Sequence, residues 1–158
     1  MKVFNVTFKN QVEEVRYNGQ SMTPQEAGLS HTDIEEVIDA LIEVHGDEEV
    51  IVFVNGNAMP MTCKVEIADL EELGWDFQNI YEDVANAKNI SVEDAEKWEK
   101  ENYCVELRFD KNGGCDYLMK QFQGNNDSSY EECGDNKEAQ KDLKKLIAAG
   151  KIWDVKCI

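Results

Sequence analysis

The sequence lacks the short motifs of familiar catalytic and nucleotide-binding sites. It has no G-x-x-x-x-G-K-[ST] or G-x-G-x-x-G phosphate loop and no G-x-S-x-G nucleophile elbow. It has no C-x-x-C or H-x-x-x-H pair at zinc-ligand spacing. The two histidines, His31 and His45, are interpreted as structural residues at the two ends of a predicted helix. These absences favour a protein that is not an enzyme and has no catalytic residues, metal ion or cofactor.

Long apolar runs and a signal peptide are also absent. No stretch approaches the roughly 18 apolar residues that span a bilayer, and the first residues, MKVFNVTF, do not resemble a secretory signal. The five cysteines are an odd number without close pairing, which fits reduced thiols. We therefore expect a cytoplasmic protein whose cysteines are mostly small core residues. They are Cys63, Cys104, Cys115, Cys133 and Cys157.

Basic residues are scarce, and their scarcity is local. The net charge is -17, with 33 acidic and 16 basic residues. Between Glu26 and Asp83 there are 16 acidic residues and one basic residue, Lys64, whereas residues 84–158 hold 15 acids and 12 bases. The 14 lysines argue against adaptation to high salt. Such a field repels nucleic acid and anionic membranes and attracts basic protein surfaces.

Ordinary apolar content, 42% over 158 residues, predicts a single acidic domain spanning residues 1–158. Segments in which apolar and polar residues alternate predict strands, and segments in which apolar residues recur every three or four positions predict helices. Asn18-Gly19 and Asn55-Gly56 predict turns, and residues 124–136 a polar loop. Thr32 with Glu35 predicts a capping box at the start of one helix, and Ser91 with Asp94 predicts the start of another. The predicted fold is α+β, with a largely antiparallel sheet built from β-hairpins and helices packed on one face. Predicted strands cover residues 2–8, 12–17, 49–54, 62–67, 103–109, 115–122 and 151–158, and predicted helices cover 32–46, 69–86, 91–101 and 137–149.

Two of the predicted helices concentrate the acid. The segment HTDIEEVIDALIEVHGDEE, residues 31–49, has eight carboxylates and no Lys or Arg. Ile34, Val37, Ile38, Leu41 and Ile42 follow helical spacing, so the acids should face outward. Like charges at this spacing cost about 0.2 to 0.5 kcal/mol per pair. In the second helix, residues 69–86, the acids lie on the face opposite the apolar residues that are predicted to point into the core.

The sequence does not favour two kinds of carboxylate site, a calcium loop and a site of paired acids. The segment from Asp110 to Gln121 places acids as in a calcium loop, but Cys115 stands at the glycine position and Gln121 at the glutamate position. Asn112-Gly113 is better interpreted as a hairpin turn. Paired acids such as Glu71 and Glu72 carry no specific signal among 33 acids.

The leading hypothesis is a nucleic-acid mimic that blocks the basic groove of a DNA- or RNA-binding enzyme. Carboxylates three or four residues apart on a helix are about 5 to 6 Å apart, comparable with successive phosphates on a strand. By charge alone, the chain resembles the anti-restriction and anti-CRISPR inhibitors of phages and mobile elements, without an aligned motif. The predicted partner-binding residues are Asp33, Glu36, Asp39, Glu43, Asp47, Glu48, Glu49, Asp69, Glu72, Asp76 and Asp83.

Other functions stay open at this point. An immunity protein for a basic nuclease toxin would use the same acids, and a solvated surface is the usual role of a charge run. A cytosolic enzyme or a small-ligand protein would instead need a deep pocket between sheet and helices. An adaptor or homo-oligomer is favoured by the lysine-rich last helix, although Lys144 and Lys145 can also lie over Leu143 and Leu146. Trp75, Trp98 and Trp153 are expected in the core.

Overall fold

The computed structural model describes residues 1–27, 34–45, 49–110, 114–123, 130–132 and 136–157. The chain divides into two compact units. The first consists of Met1–Thr62, Arg108–Gly114 and Asp154–Ile158, and the second of Cys63–Leu107 and Cys115–Trp153. A single domain stays a prediction.

The fold is α+β, as the sequence predicts, with two mostly antiparallel sheets. Their strand orders are β3-β2-β1-β4-β5 and β10-β6-β7-β8-β9. The packing of the helices on one face stays a prediction. The described strands are β1 (Lys2–Phe8), β2 (Val12–Tyr17), β3 (Gln20–Met22), β4 (Val50–Val54), β5 (Asn57–Ala58), β6 (Met61–Val65), β7 (Tyr103–Phe109), β8 (Cys115–Gln121), β9 (Tyr130–Glu132) and β10 (Ile152–Cys157), and the described helices are α1 (Ile34–His45), α2 (Ile67–Glu72), α3 (Gln78–Lys88), α4 (Val92–Asn102) and α5 (Asn136–Ala148).

The first sheet contains a parallel pair at its centre. β1 pairs with β4 in parallel, with Phe4 opposite Val52, while β1 and β2 are antiparallel. The expectation of hairpins without crossovers is therefore wrong at this point. All five residues of β4 are buried, which is typical of a strand inside a parallel pair.

The core of the first unit is formed by this sheet and α1. Val37, Ile38 and Leu41 of α1 are buried with Phe4 and Val52 of the central strands. These helix residues lie three and four positions apart, so they form one face of the helix. Ile42 is partly buried against the same cluster, and the side chain of Ile34 lies outside the described residues.

The predicted Asn55-Gly56 turn is confirmed, but its return strand is different. Asn55 and Gly56 both have positive φ, 50° and 88°, as a two-residue hairpin turn requires. The side chain of Asn55 also accepts a hydrogen bond from Phe8 N at 3.0 Å and donates one to Phe8 O at 2.6 Å. The turn leads into the two-residue β5, and β6 belongs to the second sheet.

The predicted helix over residues 69–86 is two helices. Gly74 has a φ of 97°, which residues with a Cβ rarely adopt, and its N–H bonds to Glu71 O at 3.0 Å. Trp75 N then donates to Leu70 O at 3.1 Å, which closes α2 before α3 begins. Helical periodicity continues across the break, so the sequence pattern alone suggested one element.

Elsewhere the predicted elements agree closely with the structure. α4 begins after Ser91, whose Oγ accepts a hydrogen bond from Asp94 N at 3.1 Å, as predicted from this capping pair. The predicted polar loop 124–136 is an exception, because residues 130–132 form the short strand β9, which pairs with β8. Residues 124–129 and 133–135 lie outside the described residues. Thr32 and the side chain of Glu35, which form the predicted capping box, also lie outside them.

We predict that Asn55→Ala destabilises the protein more than Asn18→Ala. Asn18 occupies the same position of the β2–β3 turn with a φ of 53°, so it controls for the left-handed backbone. Only Asn55 additionally bridges both main-chain groups of Phe8. The loss of this bridge should make the decrease in the free energy of unfolding, measured with urea, about 1 to 2 kcal/mol larger for Asn55→Ala than for Asn18→Ala. Equal losses for the two variants would show that the bridge adds nothing.

Candidate acidic interaction surface

The outward face of α1 carries three exposed carboxylates, Glu36, Asp39 and Glu43, which we name the acidic row. They lie opposite the buried Val37 and Leu41, and the sequence of α1 contains no Lys or Arg. The residue spacing of three and then four places them along one side of the helix, roughly 10 Å from first to last. The predicted exposure of these acids is confirmed.

Glu49 is exposed next to this helix in the chain, just before β4. Its Oε1 accepts a hydrogen bond from Val155 N at 3.3 Å, so this carboxylate is partly fixed in place. His45, in the last turn of α1, has its Nδ1 3.5 Å from Lys2 Nζ and its ring 4.8 Å from that of Phe4. The structural interpretation of His45 agrees with these contacts. The predicted contacts Asp33, Asp47 and Glu48, together with His31, lie outside the described residues.

In the second unit, Glu72, Asp76 and Asp83 are exposed as predicted. Asp76 also has a local structural role, because its Oδ1 accepts a hydrogen bond from Gln78 N at 2.9 Å at the start of α3. This bond satisfies one N–H of the first turn, where a negative charge is favourable. The predicted partner-binding residues that the structure describes are thus divided between the two units.

Asp69 does not meet the expectation of an outward acid. Its side chain is 14% exposed, and Lys151 Nζ lies 3.6 Å from its Oδ1. The neighbouring Glu71 is paired as well, with Lys100 Nζ at 2.6 Å from its Oε1. Lys100 in turn contacts Glu96 Oε1 at 2.7 Å. The sequence could not show the pairs of Asp69 and Glu71, because their lysines come from distant parts of the chain.

The lysines of α5 are also partly paired within their own helix. Lys141 Nζ lies 3.3 Å from Glu138 Oε1, and Lys145 Nζ lies 3.9 Å from Asp142 Oδ1. Asp142 is buried and accepts a hydrogen bond from the indole N–H of Trp75 at 2.8 Å. A homo-oligomer built on these lysines stays a prediction.

The described cysteines are placed as small core residues rather than reactive groups. Cys63, Cys104 and Cys115 are buried and Cys157 is partly buried, while Cys133 lies outside the described residues. Burial, with a smaller effect of the Glu106 carboxylate, raises the pKa of Cys63 to about 12. Burial also raises the pKa of Cys157, whose thiol donates to Val50 O at 3.2 Å. These thiols are therefore poor nucleophiles.

Metal binding finds no support in the described part of the chain, where no three His, Cys, Asp or Glu side chains converge. At the rejected calcium loop, Asp110 Oδ1 accepts a hydrogen bond from Gly114 N at 2.8 Å. Asp110 N donates to Gly114 O at 2.9 Å, so the ends of the β7–β8 connection are closed by this pair. Residues 111–113 lie outside the described part. Among the described helices none is long and apolar enough to cross a membrane.

Glu99 is a buried carboxyl group that the sequence did not single out. It lies on α4 in the second unit and is 4% exposed. Burial raises the pKa of Glu99 to about 7, although the nearby ammonium of Lys88 opposes the shift. The same Lys88 Nζ lies 3.9 Å from the ring centroid of Trp98. Trp75, Trp98 and Trp153 are partly buried, and each packs against another aromatic ring.

A cleft at the end of α4 was also missed by sequence reasoning. It has a volume of about 380 Å³ and is lined by aromatic, amide and carboxylate side chains. Its residues come from the end of α4, the start of β7 and the end of β8, which the Phe122 N to Asn102 O hydrogen bond joins at 3.0 Å. No periodic sequence signal brings these segments together.

Comparisons with protein-family models, with curated proteins and with solved structures gave no match.

We predict that Asp39→Asn stabilises the protein. Asp39 lies at helical spacing from Glu36 and Glu43, and each like-charge pair costs about 0.2 to 0.5 kcal/mol. Removing the central charge should raise the free energy of unfolding by about 0.5 to 1 kcal/mol at low salt, measured by urea denaturation. The gain should disappear at high salt because the repulsion is screened. A salt-independent change would mean that repulsion in the acidic row is not its cause.

We predict that Glu99→Gln stabilises the protein above neutral pH. The native pKa, about 7, exceeds the ordinary value of 4.5, so the stability contribution of Glu99 is full below 4.5 and is lost as pH rises through 7. The variant should therefore gain roughly 3 kcal/mol at about pH 8 and nothing near pH 4.

Glu93→Gln is the matched control for this pH profile. Glu93 is exposed in the first turn of the same helix, where its charge is favourable. Its replacement should give no gain in the free energy of unfolding at either pH. A Glu99→Gln gain that is the same at both pH values would show that ionisation of Glu99 does not limit stability.

Proposed function

We propose that the protein is a cytoplasmic, non-enzymatic inhibitor that imitates nucleic acid and occupies the basic groove of a DNA- or RNA-binding enzyme. It would act in the manner of the anti-restriction and anti-CRISPR inhibitors of phages and mobile elements. The observation that carries the proposal is the acidic row of α1, which is exposed along a helix without lysine or arginine. The chain itself would bind neither nucleic acid nor membrane, because its charge repels both.

The geometry of the acidic row suits a site made for phosphates. Its three charges follow one another at about 5 Å along a rigid helix, and a nucleic-acid strand carries one charge per about 3.4 Å of axis. Arg and Lys side chains are long enough to adapt to a difference of this size. The buried face of the helix holds the backbone in place, so little ordering is needed when the partner binds.

The ion pair of Asp69 removes this residue from the predicted contact set, and the neighbouring Glu71 is paired as well. Their charges are offset by Lys151 and Lys100 and contribute little to the outward field. Glu72, Asp76 and Asp83 remain exposed in the second unit and add to the long-range attraction of a basic protein. An immunity protein for a basic nuclease toxin would use the same residues, and the identity of the partner distinguishes the two roles.

A competition experiment tests the proposal. Fluorescence anisotropy follows a labelled duplex bound to each of three purified enzymes: a restriction endonuclease, a guide-RNA-dependent nuclease and a basic nuclease toxin. The wild-type chain should displace the duplex from at least one of them at low salt. Asp39→Asn with Glu43→Gln should displace it roughly tenfold less well, since two charge-assisted contacts are lost.

The matched control is Glu13→Gln with Glu93→Gln, which removes the same charge from exposed positions on β2 and α4. It should retain most of the displacement. If both double variants lose displacement equally, net charge rather than the acidic row is responsible. If the wild-type chain displaces the duplex from none of the enzymes at low salt, the proposal fails.

A further inference from the structure

The cleft at the end of α4 combines flat aromatic walls with hydrogen-bond acceptors. Trp98 and Tyr103 line it with ring centroids 5.7 Å apart, and Phe122 lines it as well. Phe122 is 45% exposed and is backed by the ring of Trp153, which stacks on it at 6.5 Å with an angle of 15°. A large apolar ring held by a second ring and left open on one side is a ready stacking surface.

Polar groups of the same cleft are held by bonds to the surrounding fold. Gln121 Nε2 donates to Tyr103 Oη at 3.0 Å, and Asn102 Nδ2 donates to Trp98 O at 2.8 Å. The Asn102 amide is therefore oriented through its nitrogen, and its oxygen is the atom that can accept from a ligand. Glu101 adds an exposed carboxylate. The cleft thus supplies several acceptors beside aromatic faces before any ligand binds.

Charge restricts the class of ligand that this cleft can take. Among the described residues that line it there is no Lys or Arg, and Glu101 is negative. Phosphates and carboxylates are disfavoured there by repulsion from Glu101 and because this described lining offers them no cationic partner. A cation is favoured, and Lys88, at 3.9 Å from the Trp98 ring, shows that an indole at the edge of this cleft already attracts one. Because Lys88 already contacts the Trp98 ring, we expect a second cation to contact the ring of Phe122 instead.

We infer that the cleft binds a guanidinium group, the side chain of an arginine on the basic partner protein. A guanidinium is planar, stacks on aromatic rings and donates up to five hydrogen bonds in its own plane. It matches Phe122 as a stacking wall and the oxygens of Glu101 and Asn102 as acceptors. An ammonium lacks the plane and is more strongly hydrated. That the arginine comes from the partner rests on the proposed function, whereas binding of the group itself does not.

The test uses the full chain and three small probes of similar size: the N-acetyl amides of arginine, lysine and glutamine. NMR follows the side-chain amide signals of Asn102 and Gln121 and the indole N–H of Trp98 during titration. The arginine derivative should shift these signals with a dissociation constant on the order of 1 mM, as expected for a ligand with so few atoms. The lysine derivative should bind more weakly, and the glutamine derivative should cause no shift.

Two variants separate the contributions of charge and stacking. Glu101→Gln keeps the shape of the side chain and should weaken arginine binding roughly fivefold to tenfold. Glu93→Gln removes the same charge from the same helix outside the cleft and should leave binding unchanged within about twofold. Phe122→Ala should weaken the arginine derivative more than the lysine derivative, because stacking favours the guanidinium. The dispersion of the remaining amide signals shows that each variant is folded.

Three results would overturn the inference. One is the absence of any shift with the arginine derivative at concentrations well above the expected dissociation constant. Another is equal binding of the arginine and glutamine derivatives, and the third is an equal effect of the two glutamate variants. A neutral sugar that shifts the same signals when arginine does not would assign the cleft to a different ligand class. The competition experiment with the acidic row needs no occupied cleft, so failure of either proposal can be recognised without the other.

Discussion

The packing of one face of α1 onto the first sheet determines where the acids of this helix lie. Val37, Ile38 and Leu41 are buried with residues of β1 and β4, and this burial fixes the rotation of the helix about its axis. Burying each such side chain contributes about 1.5 to 3 kcal/mol, whereas repulsion within the acidic row costs a few tenths of a kcal/mol per pair. The apolar contacts therefore outweigh the repulsion, and the carboxylates have no other direction to face.

Much of the fold could be predicted because periodicity and turn chemistry are local. Alternation predicted β1 and β2, the Ser91–Asp94 pair predicted the start of α4, and Asn55-Gly56 predicted its turn. The predictions that were wrong concern features that depend on distant segments or on a single backbone angle. The parallel pairing of β1 with β4 is not encoded in either strand alone, and the positive φ of Gly74 divides a segment whose helical period continues without interruption.

The candidate site was predictable to a similar extent. Helical spacing identified Glu36, Asp39 and Glu43 as exposed, since exposure follows from which face is apolar. It could not identify Asp69 as paired, because Lys151 reaches it from the other end of the second unit's sequence. The aromatic cleft was missed for the same reason: Tyr103 and Phe122 become neighbours only when β7 and β8 are formed. Charge neutralisation and concave surfaces are tertiary properties.

The separation of roles between the two faces of α1 has a consequence for how the protein can evolve. The exposed positions make no contribution to the apolar core, so single exchanges among acidic, polar and basic residues leave the architecture intact. Descendants of this chain can therefore alter the charge pattern of this face stepwise without passing through unfolded intermediates. The paired Asp69 has less of this freedom, because changing it leaves the amine of Lys151 without its counter-charge.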